Sequence, residues 1–478
     1  MSNILEKYPE YSSTAILDEL RTREYGYLDE QGHTYLDYTG SGLAARAQHR
    51  HNQERLAETT FGNPHSVNPT SLSSTKAVED TRQRVLEFFN ASPEEYTVVF
   101  TPNATGAARL VAEAYQFRRG MRFVHTADNH NSIVGFREYA RRAGIRSVTI
   151  PVRNSDLRVD TASVVKALSR KRRGLLGKCQ GKRGLFAYPA QSNFSGVQHP
   201  LEWVELAHRE GYDVILDTAA YIPTNKFDLS KVKPDFMIAS WYKLFGFPTG
   251  VGCLVARREA LSRLTRPWFS GGTVHLVTIA MPWHKMAEGG AAFEDGTVNF
   301  LSIPDVHFGL DWISSIGMDT IHTRVKCLTG FFLDRLRSLR HSDGSPMAVV
   351  YGPKDTVSRG GTICFNVIDA EEKRVDERII DVESAAAGIS IRTGCFCNPG
   401  VGEVALNFKA PALPSLFKLY KRPLEGVIME KAAQTLRAVR VSFGLASTVA
   451  DVDKFISFVE TYRDRVTSTK GLPPRGGC

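Results

Sequence analysis

The chain has 478 residues, of which 42% are hydrophobic, 10% aromatic and 23% charged. This composition is typical of a globular protein with a large core, and it excludes a disordered, collagen-like or coiled-coil chain. Seven cysteines are too few and too scattered for a disulfide framework. No apolar run reaches the roughly 18 residues of a membrane span, and the first 14 residues lack the apolar core of a signal peptide. We therefore expect a cytoplasmic protein with no membrane partner.

The formal charge of +9 comes largely from one segment. Seven basic residues and no acidic residue lie between Arg170 and Arg183, in RKRRGLLGKCQGKR. The segment has neither base-stacking aromatic residues nor a known nucleic-acid-binding motif, so no nucleic-acid partner is predicted. We interpret it as a solvated loop, with a docking surface for an acidic partner protein as the alternative.

Short β-rich runs alternate with longer helical stretches from about Thr97 to Arg257. The runs are apolar almost throughout, which predicts an α/β fold whose mostly parallel sheet is covered by helices on both faces. Ligands bind at the carboxyl ends of such strands, so the residues after each run are candidates for chemistry. The runs are Tyr96–Phe100, Arg122–Thr126, Ser147–Val152, Gly184–Ala190, Asp213–Ala219, Asp235–Ser240 and Gly250–Ala256.

After about Pro304 the pattern changes to that of a smaller α+β domain. Its predicted elements are a long helix over Val306–Leu339, a strand at Gly360–Ile368, a charged helix, a helix around Met429–Leu436, a strand at Ala438–Phe443 and a last helix over Val449–Val466. We divide the chain into an N-terminal segment (1–45) that packs with the small domain, a large domain (46–304), the small domain (305–470) and a flexible tail (471–478).

Four strand ends carry residues that suggest chemistry. Asp217 ends an apolar strand, where a carboxylate is costly unless a cation or cofactor pairs with it; a helix cap is the alternative. Lys243 follows the next strand, where an amine with a lowered pKa can act as a nucleophile, although an isolated lysine is more often a surface residue. His130 also follows a strand. The small residues of Thr101–Arg109 allow a helix N-terminus and the Thr105 hydroxyl to hold a phosphate.

Together these features fit pyridoxal phosphate. This cofactor requires a lysine, an acid against its pyridine nitrogen, a flat stacking partner and a phosphate-binding turn. The spacing of Asp217 and Lys243 also allows these two residues to end neighbouring strands that are joined by one connection. The strand ends therefore predict a pyridoxal phosphate site.

At this point the chain resembles the class V aminotransferases of fold-type I, and within them the cysteine desulfurase-like domain of molybdenum cofactor sulfurases. The matching stretches run in the family's order over nearly the whole chain. They are LDYTGSGLA (Leu36–Ala44), FGNPHS (Phe61–Ser66), TPNATGAARLV, DNHNSIVGFREYA (Asp128–Ala140), LDTAAYIPTN (Leu216–Asn225), SWYKLFGFPTG, FEDGTVNFLSIP (Phe293–Pro304), IRTGCFCNPG (Ile391–Gly400) and VRVSFG (Val439–Gly444). The resemblance implies a large domain with a mostly parallel seven-stranded sheet and a smaller α+β C-terminal domain.

The resemblance also implies how the cofactor is held. Lys243 would carry pyridoxal phosphate, Asp217 would pair with its ring nitrogen, and His130 would stack on the ring and shuttle protons. The residues that would hold the phosphate from the same protomer are Ala104, Thr105 and Ser240.

Four further positions match family residues around the cofactor and the substrate. Gly296 and Thr297 resemble a segment that reaches the phosphate from the other protomer, which implies a homodimer with shared sites. Asn193 matches a position that faces the ring and the substrate. Arg440 matches the arginine that pairs with the substrate carboxylate, a task suited to a bidentate guanidinium.

The cysteine pair in RTGCFCNPG indicates the reaction. Cys397 matches the position at which a desulfurase thiolate takes sulfur from L-cysteine, leaving alanine and an enzyme persulfide. The C-x-C spacing with Cys395 could suggest zinc, but no second Cys or His pair stands at metal spacing, so no metal is predicted. Two small structural residues are the remaining alternative. We expect four other cysteines to be inert, namely Cys179, Cys253, Cys327 and Cys364. The sequence gives no role for Cys478.

The resemblance has three departures. GVGEVAL follows CNPG, where the sulfurases often carry another cysteine, and Ala220 stands where many desulfurases have a glutamine that bonds the cofactor hydroxyl. The sequence also ends soon after the small domain, so we expect no counterpart of the molybdenum-cofactor-binding domain of the long sulfurases. The acceptor of the sulfur is therefore open, either a protein or a cofactor.

The sequence thus predicts a homodimeric, pyridoxal-phosphate-dependent cysteine desulfurase that acts on L-cysteine or another small amino acid. The first alternative keeps the cofactor and changes the reaction to that of a C–S lyase, an epimerase or a decarboxylating enzyme that forms carbon–carbon bonds. The second alternative is a binding scaffold with a vestigial cofactor. The full set of Lys243, Asp217, His130 and Arg440 argues against the scaffold, because a protein without chemistry would not require all four.

Overall fold

The computed structural model describes residues 2–169, 184–408 and 435–472. The strands are β1 (Thr34–Tyr35), β2 (Tyr96–Thr101), β3 (Arg122–Thr126), β4 (Arg146–Ile150), β5 (Gly184–Pro189), β6 (Tyr212–Asp217), β7 (Phe236–Ser240), β8 (Gly252–Arg257), β9 (Val274–Thr278), β10 (Trp283–Met286), β11 (Ala348–Tyr351), β12 (Thr362–Val367), β13 (Ile389–Ser390), β14 (Arg392–Gly394) and β15 (Ala438–Ser442). The α-helices are α1 (Ser2–Lys7), α2 (Ile16–Tyr25), α3 (Tyr27–Glu30), α4 (Arg46–Glu58), α5 (Pro69–Phe88), α6 (Ala104–Ala114), α7 (Asn131–Val134), α8 (Phe136–Arg142), α9 (Thr161–Leu168), α10 (Trp203–Arg209), α11 (Trp241–Phe245), α12 (Arg258–Ser262), α13 (Ile303–Ile316), α14 (Met318–Ser338), α15 (Glu377–Ala386), α16 (Pro399–Ala405) and α17 (Val449–Glu460).

The larger sheet has seven strands in the order β2-β8-β7-β6-β5-β3-β4. Strand β8 runs antiparallel to both of its neighbours, and the other neighbouring strands pair in parallel. Every residue of β2, β5, β6 and β7 is buried, as expected for strands that are covered on both faces. The predicted mostly parallel seven-stranded sheet is confirmed.

Alternate residues of the central strands pack into different cores, because successive side chains of a strand point to opposite faces. On β5, Leu185 and Ala187 pack with residues of α6 and α8. Phe186 and Tyr188 pack on the other face with residues of α5, α10 and α13. Helices therefore cover both faces of the large sheet.

The second sheet has four antiparallel strands in the order β11-β12-β15-β14. Its core combines residues from both ends of the chain, among them Leu17 and Leu36 near the N-terminus and Phe332, Val441 and Phe455 far along the sequence. The N-terminal segment is also joined by backbone pairing, since β1 pairs in parallel with β13. The N-terminal segment thus packs with the second sheet.

Two helix predictions are wrong in their bounds. The predicted helix over Val306–Leu339 consists of α13 and α14, which are separated by Gly317 with φ +91°. A left-handed residue interrupts the helical hydrogen bonding, and glycine adopts this conformation without strain. The last helix ends at Glu460 rather than at Val466.

Some predicted segments lie wholly or largely outside the described residues. They are the basic segment Arg170–Arg183, the helix around Met429–Leu436 and most of the tail 471–478. None of the helices in the described ranges is both long enough and apolar enough to cross a bilayer.

A buried arginine joins the N-terminal segment to α14. The Arg324 side chain donates to the Thr14 hydroxyl at 2.7 Å, to the Thr14 carbonyl at 2.6 Å and to both carboxylate oxygens of Asp18 at 2.7 and 2.9 Å. Because Arg324 is fully buried, these hydrogen bonds compensate for the loss of its hydration.

We expect Arg324→Met to lower the free energy of unfolding by about 3 kcal/mol, since the buried carbonyl of Thr14 loses a charged donor. Urea unfolding measures this difference. The control is Arg337→Met on the same helix, where the side chain is exposed and the expected change is below about 0.5 kcal/mol. A loss below about 1 kcal/mol for Arg324→Met would contradict its anchoring role.

Candidate active site

The candidate site lies at the carboxyl ends of the parallel strands. Because β6 and β7 pair in parallel, their last residues, Asp217 and Ser240, end at the same edge of the sheet. Lys243 follows in α11, which begins directly after Ser240. A cavity of about 410 Å³ opens at this edge. The predicted site residues that line it are Ala104, Thr105, His130, Asn193, Asp217, Ser240 and Lys243.

The position of Lys243 depends on a close contact after its helix. Helix α11 ends at Phe245 and is followed by Gly246, which has φ +76°. A Cβ atom at this position would lie 2.3 Å from the backbone of Leu43 and Ala44, so another residue would clash with the N-terminal segment. Burial lowers the pKa of the Lys243 amine, and Asp217 opposes this effect. The amine is therefore more readily neutral than that of an ordinary lysine.

Asp217 is a buried carboxylate at the floor of the site. One of its oxygens accepts a hydrogen bond from the backbone N–H of Ala219 at 3.0 Å. Its charge raises the pKa of both Lys243 and His130, which requires that the three groups lie close together. A cation near Asp217 would compensate for the burial of its carboxylate.

His130 presents a neutral ring to the cavity. Its Nδ1 accepts a hydrogen bond from the backbone N–H of Ser132 at 3.2 Å, so we assign the ring proton to Nε2. Burial, with smaller effects of Lys243 and Arg440, lowers the pKa of His130. A neutral, flat imidazole is suited to stacking against an aromatic ligand.

The N-terminus of α6 forms a cup of polar groups at one end of the cavity. The Ala104 N–H donates to the Ser240 hydroxyl at 2.9 Å, and the Thr105 hydroxyl lies 2.7 Å from the hydroxyl of Ser132. Helix α6 has 11 residues, and the side chain of Asn103 caps it by accepting from Gly106 N–H. Such a terminus favours an anion, because its first N–H groups have no partner within the helix.

Four of the polar residues that line the cavity were not identified from the sequence. They are Ser132, Gln191, Tyr242 and Thr249. Ser132 joins Thr105 to His130 through its hydroxyl group. The available signal was proximity along the chain, since Ser132, Gln191 and Tyr242 lie within two residues of predicted site residues.

The loop that carries Cys397 is docked on this edge of the large sheet. The Cys397 carbonyl accepts a hydrogen bond from the Asn131 N–H at 2.8 Å, and the Phe396 carbonyl accepts one from the Asn193 side chain at 2.8 Å. The Asn398 side chain donates to the Asp128 carbonyl at 2.8 Å and to the Asn193 side-chain oxygen at 2.9 Å. Three asparagine residues thus hold the loop beside the cavity.

The thiol of Cys397 is free and half-buried, whereas Cys395 is disulfide-bonded. Phe396 and Cys397 have φ values of 55° and 52°, in the left-handed region that non-glycine residues seldom adopt. Cys397 is not among the residues that line the cavity. The docked loop therefore holds the thiol next to the cavity in a strained backbone conformation.

The other cysteines in the described ranges are buried. They are Cys253, Cys327 and Cys364. Burial raises the pKa of each thiol, to about 11 for Cys327. Cys179 and Cys478 lie outside the described residues. Within the described parts of the chain, no group of three or more His, Cys, Asp or Glu side chains could hold a metal ion.

Arg440 is buried beside the cavity and is not among the residues that line it. Its Nη1 donates to the carbonyl of the cavity residue Asn193 at 3.1 Å, and its Nη2 donates to Asp37 at 2.9 Å. The Arg440 charge also lowers the pKa of Lys243 and His130, so the guanidinium lies close to both.

Gly296 and Thr297 are not brought to this cavity. Thr297 lines a neighbouring cavity of about 380 Å³, which also contacts Pro102 and Gly250. Gly296 has φ +71° and lies in the turn before Thr297. Within one chain, these two residues do not contribute to the cavity that contains Lys243.

Several curated proteins are similar in sequence to most of this chain. Molybdenum cofactor sulfurase from Bos taurus is 34% identical over 479 residues, which is 96% of this chain and 53% of that protein. The protein of that name from Homo sapiens is 34% identical over 93% of this chain and 51% of its own length. The one from Arabidopsis thaliana is 33% identical over 93% and 58%. The chain spans about half the length of these relatives.

Solved structures resemble the fold over nearly its whole length. The apo structure of a cysteine desulfurase from Thermococcus onnurineus NA1 has a TM-score of 0.75 and 23% identity, covering 93% of this chain and 97% of that chain. The cysteine desulfurase CsdA from Escherichia coli has a TM-score of 0.72 and 19% identity, covering 93% and 98%. These similarities support the fold. The family model described as Aminotransferase class-V matches residues 34–455, and the chain therefore belongs to the class-V aminotransferase family.

Proposed function

We propose that the protein is a pyridoxal-phosphate-dependent cysteine desulfurase that moves sulfur from L-cysteine, through a persulfide on Cys397, to an acceptor. The observation that carries the proposal is the cavity in which Lys243, Asp217 and His130 meet beside the docked Cys397 loop. The sulfurase names of the sequence relatives support the same reaction class.

The residues around the cavity fit pyridoxal phosphate. Lys243 supplies a buried amine with a lowered pKa, and Asp217 supplies a buried carboxylate that a protonated ring nitrogen would neutralise. The neutral ring of His130 would pack on the cofactor ring, and the N-terminus of α6 with Thr105 and Ser240 would receive the phosphate. When bound, the cofactor withdraws electrons from the α-carbon of an amino acid.

Cys397 accepts the sulfur in this proposal. Its thiolate attacks the sulfur of L-cysteine, and an S–S bond forms as the C–S bond of the substrate breaks. The carbon fragment takes up a proton and leaves as alanine, so the enzyme retains one persulfide per substrate. Lys243 and His130 line the same cavity and are placed to hold or return that proton.

A homodimer with shared sites is part of the proposal. Gly296 and Thr297 lie outside the cavity of their own chain, which supports a role in the site of a second copy. The hairpin of β9 and β10 also exposes large apolar side chains, with Ile279 94% and Leu276 52% accessible. Contiguous apolar surface of this kind is typical of an interface.

The division of the chain into units and the cellular location of the protein are proposed as well. The proposed units are a large unit (46–304) and a small unit (305–470) with the N-terminal segment (1–45). The core around the second sheet supports the small unit, because its buried residues come from 4–45 and 313–462. A cytoplasmic location is proposed from the free thiols of Cys253, Cys327, Cys364 and Cys397, while Cys395 is disulfide-bonded. The proposed acceptor is a protein or a cofactor, and the names of the relatives support a molybdenum cofactor.

A second candidate function keeps the cofactor without a persulfide. Cys397 does not line the cavity, which favours a class V reaction on an amino acid that proceeds without this thiol, such as that of a C–S lyase. Incubation with L-cysteine, followed by alkylation and mass spectrometry, separates the two candidates. A persulfide on Cys397 supports the desulfurase, and its absence during turnover supports the lyase.

We expect Cys397→Ser to lower the rate of alanine formation from L-cysteine at least about 100-fold, because a hydroxyl is a poor nucleophile at neutral pH. Binding of pyridoxal phosphate should be unchanged, which its visible absorption band measures. The matched control is Cys327→Ala, which removes a buried thiol from α14 and should retain the rate. A normal rate in Cys397→Ser would exclude the persulfide step.

Reloading of the cofactor-free protein should depend on the protonation of Lys243. The lowered pKa means that the amine becomes neutral, and therefore reactive, at a lower pH than an ordinary lysine. The rate of reloading with pyridoxal phosphate should rise with pH and level off below 10.5, the usual pKa of lysine. Stopped-flow absorbance over a pH series measures the rate. A rate that still rises at pH 10.5 would contradict the lowered pKa.

Disruption of the proposed interface should separate the two copies. We expect Ile279→Lys to convert the dimer into a monomer in sedimentation velocity, because a charge replaces an apolar side chain in the buried contact. The monomer should also release pyridoxal phosphate more readily, since Gly296 and Thr297 of the second copy are lost. The control is Val357→Lys, at another exposed apolar position that is 67% accessible. An unchanged sedimentation coefficient for Ile279→Lys would place the interface elsewhere.

A further inference from the structure

Two arginine residues face each other beside the candidate site. In the register of β14 and β15, Arg392 lies directly opposite Arg440. Side chains opposite each other in an antiparallel pair are close neighbours, and like charges in this arrangement destabilise the sheet. The pair therefore requires an anion between its two guanidinium groups.

Asp37 supplies that anion from the other end of the chain. Its Oδ1 accepts from Arg440 Nη2 at 2.9 Å, and its Oδ2 accepts from Arg392 Nε at 2.9 Å and from Arg392 Nη2 at 2.7 Å. Asp37 and Arg440 are buried, whereas the side chain of Arg392 is 52% exposed. Each carboxylate oxygen thus holds one arginine, and the three groups together carry one net positive charge.

The backbone fixes the carboxylate in place. Asp37 forms a parallel bridge with Ser442 at the end of β15, and its carbonyl accepts from the N–H groups of Gly40 and Ser41 at 2.9 and 3.1 Å. A Cβ atom at Gly40 would lie 2.4 Å from Oδ2 of Asp37. The absence of a side chain at Gly40 therefore makes room for the carboxylate.

Arg440 retains donors that Asp37 does not occupy. Its Nε is buried and has no hydrogen-bond partner in the described parts of the chain. Its Nη1 bonds to the carbonyl of the cavity residue Asn193, and its guanidinium lies 4.9 Å from the ring centre of Phe396 in the Cys397 loop. Arg440 is thus held between the cavity residue Asn193 and the Cys397 loop, and its Nε–H group has no partner in the described parts of the chain.

We propose that Asp37 is a positioning residue, which orients Arg440 so that its free donors receive the α-carboxylate of an amino acid; this inference rests on the proposed function. Asp37 also reduces the charge of the arginine pair to +1, which matches one carboxylate group. Substitution of Asp37 should therefore affect ligands with a carboxylate more than ligands without one.

The test compares L-alanine with L-alaninamide, in which a neutral amide replaces the carboxylate. Both dissociation constants are measured from the change in visible absorption when each compound is added to the holoenzyme. In Asp37→Asn, the amide NH₂ group faces a guanidinium group, so one arginine loses its acceptor. The dissociation constant of L-alanine should rise about 10- to 100-fold, and that of L-alaninamide less than about 3-fold. The KM for L-cysteine should rise together with the dissociation constant of L-alanine, while kcat for L-cysteine changes less than about 3-fold.

Asp451→Asn is the matched control. Asp451 pairs with Arg21 at 3.3 Å, both side chains are nearly buried, and this pair also joins the N-terminal segment to the C-terminal part of the chain. The control should lose stability and leave both dissociation constants unchanged. If Asp37→Asn weakens the binding of the two ligands equally, or changes the binding of neither, Asp37 has only a structural role and the inference is wrong.

Gly40→Ala tests the same inference if Asp37→Asn does not fold. The added methyl group displaces the Asp37 carboxylate without removing its charge. The binding of L-alanine should therefore again be weakened more than the binding of L-alaninamide. Because L-alanine binding requires no desulfuration, the two proposals fail separately. An enzyme that binds L-alanine through Asp37 but makes no alanine from L-cysteine contradicts only the proposed function. An active enzyme whose ligand preference is unaffected in both variants contradicts only the role of Asp37.

Discussion

Parallel pairing of β6 with β7 brings a carboxylate and an amine to one edge of the sheet, and the remaining site residues are arranged around these two groups. Burial favours the neutral forms of Lys243 and His130, and the buried side chain of Asp217 lies close to both. The floor of the cavity is therefore deficient in positive charge. A ligand with a protonated nitrogen opposite Asp217 and an anion at the α6 N-terminus would complement both ends.

Backbone strain opposes the docked position of the Cys397 loop, and hydrogen bonds stabilise it. Left-handed backbone at Phe396 and Cys397 costs about 1–3 kcal/mol for each residue. Each hydrogen bond from Asn131, Asn193 and Asn398 stabilises the docked loop by about 0.5–1.5 kcal/mol. Burial of the Phe396 side chain in the core of the large sheet adds to these hydrogen bonds, so the loop is docked in spite of its backbone strain. Asn193 lines the cavity and binds the loop, so it connects the two.

The sequence allowed the large sheet to be predicted because its strands are continuous apolar runs between helical segments. It did not reveal that β8 runs antiparallel, since a strand buried on both faces has the same pattern in either direction. The break at Gly317 was missed because the apolar periodicity continues on both sides of it. Lys243 and Asp217 could be found at strand ends, whereas the role of Asp37 depends on a partner 403 residues away. Local patterns carry no information about such a contact.

The long separation of Asp37 from Arg440 has a consequence for biosynthesis. The ribosome adds His130, Asp217 and then Lys243, and β15 follows only 195 residues after Lys243. The large sheet consists of residues 96–257, and it can begin to fold while the rest of the chain is still being made. Asp37 emerges early but meets both arginines only after β14 and β15 have left the exit tunnel. The part of the site around Lys243 and the part around Arg440 are thus finished at different times during translation.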